Sequence, residues 1–135
     1  MRTAAQRVEE IFANDALNAD DGPSKCEVLE EMLPELGWSV VLEHLLAILR
    51  QPDRRPSDWD TAAEVLWGAA LDGRPMPVDV VVAHLCHRWW GPAQPENNLA
   101  WSIISKLKQV DYLSEYDPLA DAGVLRELAR LQVAG

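Results

Sequence analysis

An all-α fold is predicted by three features of the sequence. Apolar residues recur at three- and four-residue spacing along most of the chain, no segment alternates apolar and polar residues as a strand would, and Pro- or Gly-containing turns separate the periodic segments. With 135 residues, the chain fits a single helical domain, 1–135, burying roughly two-thirds of the surface its unfolded form would expose.

The first helix is expected over about 3–17, where Ala4, Val8, Ile11 and Phe12 share a face, ending at the 18–23 turn. Ser24 opens the second, with Glu27 three residues on in the capping-box pattern that satisfies the free amides of a first turn. Cys26, Leu29, Met32, Leu33 and Leu36 form its stripe, and Pro34 leaves its end open because proline lacks a donor and crowds the preceding turn. The third, about 39–50, is apolar on most sides through Val40, Val41, Leu42, Leu45, Leu46, Ile48 and Leu49, which places it centrally. Pro52 and Pro56 bracket a linker with Arg54 and Arg55, after which Ser57 and Asp60 read as a second capping start. Trp59, Ala63, Leu66, Trp67 and Ala70 line the fourth helix until Gly73.

The fifth helix runs from about Val78 to Trp89 after Pro75 and Pro77, and Gly91, Pro92 and Pro95 break the chain again. A sixth, about 96–110, carries Leu99, Ile103, Leu107 and Val110 on one side; Trp59, Trp67 and Trp101 are all expected in the core. The last, about 119–133, turns Val124, Leu125, Leu128 and Leu131 inward. Paired as 24–50, 57–90 and 96–133, these helices form antiparallel hairpins that would stack as a HEAT-like α-α superhelix, with an irregular helical bundle as the alternative.

The formal charge of −10 speaks against nucleic acid as a direct ligand, since Lys and Arg drive phosphate binding. Residues 1–49 hold ten acidic against three basic side chains, a net of −7, and the remainder of the chain only −3. An acidic half of this kind would steer a basic partner, or simply keep the surface solvated. The longest apolar stretch, 38–49, is interrupted by Glu43 and His44 and is shorter than the ~20 residues of a membrane span. The first ten residues carry Glu9 and Glu10 and lack a secretory pattern, so a cytoplasmic location with Cys26 and Cys86 as reduced thiols is expected.

Chemistry-bearing patterns are scarce. His84-Leu85-Cys86-His87 gathers metal-ligand types, but tetrahedral zinc needs three or four ligands, and Cys26 and His44 add none at a known spacing. The reading is therefore no metal: Cys86 packs in the core and the histidines lie at the helix flank. Residues 14–22 mimic a calcium loop, yet with Gly22 at its sixth place the first and twelfth would be Leu17 and Val28, neither a carboxylate. No nucleophile elbow, phosphate-cradling glycine loop or metalloprotease pair occurs. No enzyme activity and no cofactor are expected.

Features suited to protein binding remain. Glu27, Glu30, Glu31 and Glu35 lie on the second helix within the acidic half. Adjacent Trp89 and Trp90 point in different directions and cannot both enter one core, so one ring lies near the surface beside Arg88, either anchoring a partner or covering the Pro92 turn. Tyr112, Glu115, Tyr116 and Asp117 belong to a loop that combines aromatic contact area with acidic steering, or else fold back onto neighbouring helices.

The string Trp59-Asp60-Thr61-Ala62-Ala63-Glu64-Val65-Leu66-Trp67, the Pro75-Met76-Pro77 turn and Glu96-Asn97-Asn98-Leu99-Ala100-Trp101-Ser102-Ile103 resemble small helical, HEAT-like immunity proteins of bacterial polymorphic-toxin systems. The likeness covers about residues 57–131. It implies a chain that neutralises one cognate toxin domain, often a basic nuclease, by covering its active site or a neighbouring surface. A helical adaptor that binds a protein without inhibiting it is the alternative.

Overall fold

A computed structural model of the chain describes residues 3–14, 17, 24–89, 98–111 and 116–134, with the side chains of 133 and 134 excepted. Among the described residues there are seven α-helices and no strand: α1 (Ala4–Ala13), α2 (Lys25–Leu36), α3 (Trp38–Arg50), α4 (Pro56–Leu71), α5 (Val78–Trp89), α6 (Asn98–Lys108) and α7 (Ala122–Ala134), with a 3-10 turn at Pro118–Ala120. The protein is all-α, as the periodicity predicts. No helix among the described residues is long and apolar enough to cross a membrane. Two compact units are distinguished, residues 1–66 and 67–135, with the boundary falling inside α4.

In the first unit α1, α2 and α3 pack against one another. Thr3 caps α1 with a full capping box: its hydroxyl accepts from the Gln6 amide at 3.1 Å while the Gln6 side chain accepts from the Thr3 amide at 2.7 Å. Ser24 caps α2, accepting from the Glu27 amide at 3.1 Å. Pro34 does not end α2, which runs on to Leu36. Proline lacks an amide donor, so the last turn forgoes one bond, and Gly37 closes the helix by donating to the Leu33 carbonyl at 2.8 Å. Gly37 has φ +89°, a conformation other residues rarely adopt, and the chain turns there directly into α3.

The core of this unit is built from Val8, Ile11, Phe12, Leu29, Leu33, Leu36, Val41, Leu42, Leu45, Leu46, Ile48 and Leu49. Val40, expected inside, is 41% exposed: α3 is apolar on most sides, but its first turn projects one valine outward. Helix α4 begins one residue earlier than its supposed cap. Pro56 is its first residue, where a missing amide costs nothing, and Ser57 lies inside the helix with its carbonyl accepting from the Thr61 hydroxyl at 2.9 Å.

In the second unit α5 is the common partner, packing against both α6 and α7. Val81, Val82, Ala83, Leu85, Cys86 and Trp89 are buried along α5, with Ala100, Ile103 and Ile104 from α6 and Val124 from α7. Helix α7 starts at Ala122 rather than 119, because Pro118–Ala120 forms the 3-10 turn and the Asp121 side chain caps the helix, accepting from the Gly123 amide at 3.0 Å. Leu125, expected inward, is 45% exposed, and Leu128 and Leu131 are half-buried, so Val124 is the residue of that stripe that reaches the core.

Candidate partner-binding surface

The acids of α2 form a charged stretch among the described residues of the first unit. Glu27, Glu30 and Glu31 are exposed, and Asp60 and Glu64 are exposed on α4. Among the described residues none of these five makes an ion pair. Their concentration is felt by Cys26, whose thiol donates to Glu30 Oε1 at 3.7 Å. Burial first, and the charges of Glu30 and Glu64 next, push this thiol up to about 12, so it is not a nucleophile at neutral pH. Partial burial of its carboxyl first and Asp60 second raise Glu64 above the usual carboxylate range. Glu35, at the end of the same helix, differs: its Oε1 accepts from Arg7 Nη1 at 2.8 Å, and that bond holds its carboxyl low.

Elsewhere in the unit several acids are paired, although exposed Glu43 and Asp53 make no ion pair among the described residues. Glu9 Oε1 accepts from His44 Nε2 at 2.6 Å and Arg54 Nη1 at 2.7 Å, and buried Asp58 accepts from Arg54 Nε at 3.1 Å and Arg55 Nη2 at 3.2 Å. Burial pushes the Glu9 carboxyl up, but the bonds from Arg54 and His44 outweigh it and hold the group below its ordinary value. A carboxylate–imidazole pair is half of an acid–base site. Here Arg54 shares the same carboxylate oxygen and no hydroxyl or thiol bonds to His44 among the described residues, so the cluster joins α1, α3 and α4 by charge. Lys25 Nζ and Arg55 Nη2 both donate to the Phe12 carbonyl, at 2.6 and 3.0 Å, placing two cations at the negative end of α1.

In the second unit one ammonium joins three helices' worth of chain. Lys108 Nζ at the end of α6 donates to Asp79 of α5 and lies 2.9 Å from Asp121 Oδ2, which also accepts from the Tyr116 hydroxyl at 2.8 Å. The bond from Lys108 first and that from Tyr116 next hold Asp121 at about 2; burial and then Asp121 push Tyr116 up to about 12. Burial disfavours the Lys108 charge, but the bonds to Asp79 and Asp121 more than offset it and raise its pKa. A Cβ on Gly123 would sit 2.9 Å from Asp79 Cγ, so the first turn of α7 approaches α5 through a residue without a side chain.

These placements sort the predicted contact residues. Glu27, Glu30 and Glu31 are exposed and unpaired among the described residues, and Glu35 is exposed but paired to Arg7. Trp89 is buried, 8% exposed; Trp90 lies outside the described residues, as do Tyr112 and Glu115. Tyr116 turns back onto Asp121, the inward reading of that loop, and exposed Asp117 caps the 3-10 turn by accepting from the Leu119 amide at 2.9 Å. Trp59, Trp67 and Trp101 are half-buried rather than core; the Trp59 indole donates to the Gln51 carbonyl at 3.2 Å.

His84 also corrects its expected position. It is 4% exposed, and its Nδ1 donates to the Val80 carbonyl at 2.7 Å, which satisfies a buried ring within its own helix. Cys86 is buried and free; burial first and Asp117 next push its thiol up to about 12. No group of three or more His, Cys, Asp or Glu among the described residues is arranged to hold a metal ion. Arg54 and Arg55 stand at i,i+4 and i,i+3 spacing to Asp58, a local signal, but the reach of Arg54 to Glu9 across 45 residues and of Lys108 to Asp79 across 29 left none.

No family model, no curated protein and no solved structure matches the chain.

Proposed function

We propose that this chain is an immunity protein that binds a basic toxin domain and neutralises it by occlusion, without chemistry of its own. The observation that carries the reading is the set of exposed carboxylates on α2, Glu27, Glu30 and Glu31, together with Asp60 and Glu64 on α4, that have no cationic partner among the described residues. Like charges spaced three and four apart on a helix repel, so a surface that retains them sacrifices some stability. A basic partner would relieve that repulsion and be drawn in by it. A standard interface buries about 1,600 Å² in total, within reach of one helical face. The likeness of 57–131 to small helical immunity proteins supports the same reading.

Where the neighbouring reading frame encodes a secreted protein with a basic C-terminal domain, the test is co-expression with that domain. Growth rescue together with a stable one-to-one complex is the expected result. A complex without rescue would refute inhibition and favour a helical adaptor, and absence of a complex would refute the partner itself. Replacing Glu27, Glu30 and Glu31 together by Gln should weaken rescue while leaving the fold intact.

A further inference from the structure

The second unit contains an open groove of about 600 Å³ between the C-terminal part of α4 and the C-terminal half of α6, lined by Trp67, Ser102, Ser105, Lys106, Gln109 and Val110. Its volume falls in the range of sites that hold small molecules. Half-buried Trp67 and Val110 stand in it beside exposed Lys106 and Gln109, and all but one of its polar side chains lack a partner among the described residues. Ser102 Oγ is engaged, donating to the Asn98 carbonyl at 3.0 Å. The rest are not: Ser105 Oγ is buried with no hydrogen-bond partner, and the Trp67 indole N–H, the Lys106 ammonium and the Gln109 amide make no hydrogen bond or ion pair among the described residues. Lys108, two positions beyond Lys106, is by contrast neutralised by two aspartates.

Gln109 adds an independent observation. It is the one non-glycine with positive φ among the described residues, at +57°, and follows the last residue of α6, where the Val110 amide donates back to the Ser105 carbonyl at 3.1 Å. Helices closing this way favour glycine, or asparagine, at that position, because a larger side chain is strained there. A glutamine in that conformation, lining a groove, fits the pattern of backbone strain tolerated at binding sites.

Together these groups define a ligand. An indole N–H and an ammonium only donate, and an amide and a hydroxyl can donate as well, so the complementary group is an acceptor carrying negative charge. The indole and valine require a flat apolar body. The geometry points to the groove as a binding site for a small aromatic carboxylate, its ring against Trp67 and Val110 and its carboxylate received by Lys106 and Gln109. The overall charge of −10 opposes an anion only at long range, where salt of about 0.1 M screens beyond roughly 10 Å. This site is independent of the acidic face of α2.

The test uses the full chain, 15N-labelled, titrated with indole-3-acetate and with its neutral isostere indole-3-acetamide, following the Trp67 indole N–H resonance. Saturable binding of the acetate with Kd below about 1 mM, and of the amide at least about ten-fold weaker, is expected. Lys106→Gln should erase that preference. Gln109→Gly should weaken the acetate while raising Tm, a combination that a purely structural glutamine would not give. The proposal is overturned by absence of saturation at several millimolar, by equal affinities for the two probes, or by affinities unchanged in both variants.

Discussion

Lys108→Met removes a charge that ties α6 to Asp79 of α5 and to Asp121 at the start of α7, and its cost can be worked from exposure. Lys108 is 17% exposed, Asp121 23% and Asp79 45%. Charge-assisted hydrogen bonds contribute about 1.5–3 kcal/mol when shielded, and exposed ion pairs under about 1 kcal/mol. The Asp121 bond belongs near the bottom of the first range and the Asp79 bond within the second. Methionine keeps the packing of the lysine stem, so the variant should lose about 2–3 kcal/mol in urea unfolding at pH 7. In a double-mutant cycle with Asp121→Asn the coupling should be about 1–1.5 kcal/mol, less than the single loss because Asp79 remains unpaired in both. Hydrogen exchange should show protection falling first in α5, α6 and α7. A loss below about 0.5 kcal/mol, or zero coupling, would refute the claim that this ammonium fastens the second unit.

Other perturbations test the remaining contacts. Gly123→Ala would stabilise an ordinary helix by about 0.5–1 kcal/mol, but here the new Cβ meets the Asp79 carboxylate and the variant should lose about 1–2 kcal/mol, a loss that disappears in an Asp79→Ala background. Lys25→Met removes a donor 2% exposed from the Phe12 carbonyl and should cost about 1–2 kcal/mol, with exchange protection lost first in α1. Replacing Glu27, Glu30 and Glu31 by Gln should raise stability by up to about 1 kcal/mol while slowing association with a basic partner about ten-fold at low salt. Stability should be greatest between about pH 4 and 9. The depressed Asp121 contributes stability that is present above its ordinary 3.8 and is lost as pH falls towards about 2. The raised Lys108, Tyr116, Cys26 and Cys86 contribute stability that is complete below about pH 9 and is lost as pH rises towards 12, which urea melts across pH would trace.

Helix identity was legible because it rests on local periodicity and punctuation: Ser24 with Glu27, the glycine at 37 and the apolar runs of α3 and α5 are each readable within a few residues. The capping box of Thr3 and Gln6 is equally local. Boundaries failed where a competing local structure took over. Pro56 started α4 before Ser57 could cap it, and the 3-10 turn delayed α7 to Ala122. Tryptophan burial was misjudged because a ring on an apolar stripe can still lie at its margin, as Trp67 does on the groove. The acids of α2 were legible as a charge excess, but which of them lack a partner was not. Arg7 reaches Glu35 across 28 residues and Arg54 reaches Glu9 across 45, so only the folded chain separates the paired carboxylates from Glu27, Glu30 and Glu31.

The most direct measurement is stopped-flow association of this chain with the basic toxin domain proposed as its partner, over a salt series, set beside the variant with Gln at 27, 30 and 31. The wild-type rate should fall steeply as salt rises from about 0.05 to 0.5 M while the variant starts slower and changes little. Identical rates and identical salt dependence for the two proteins would contradict the account.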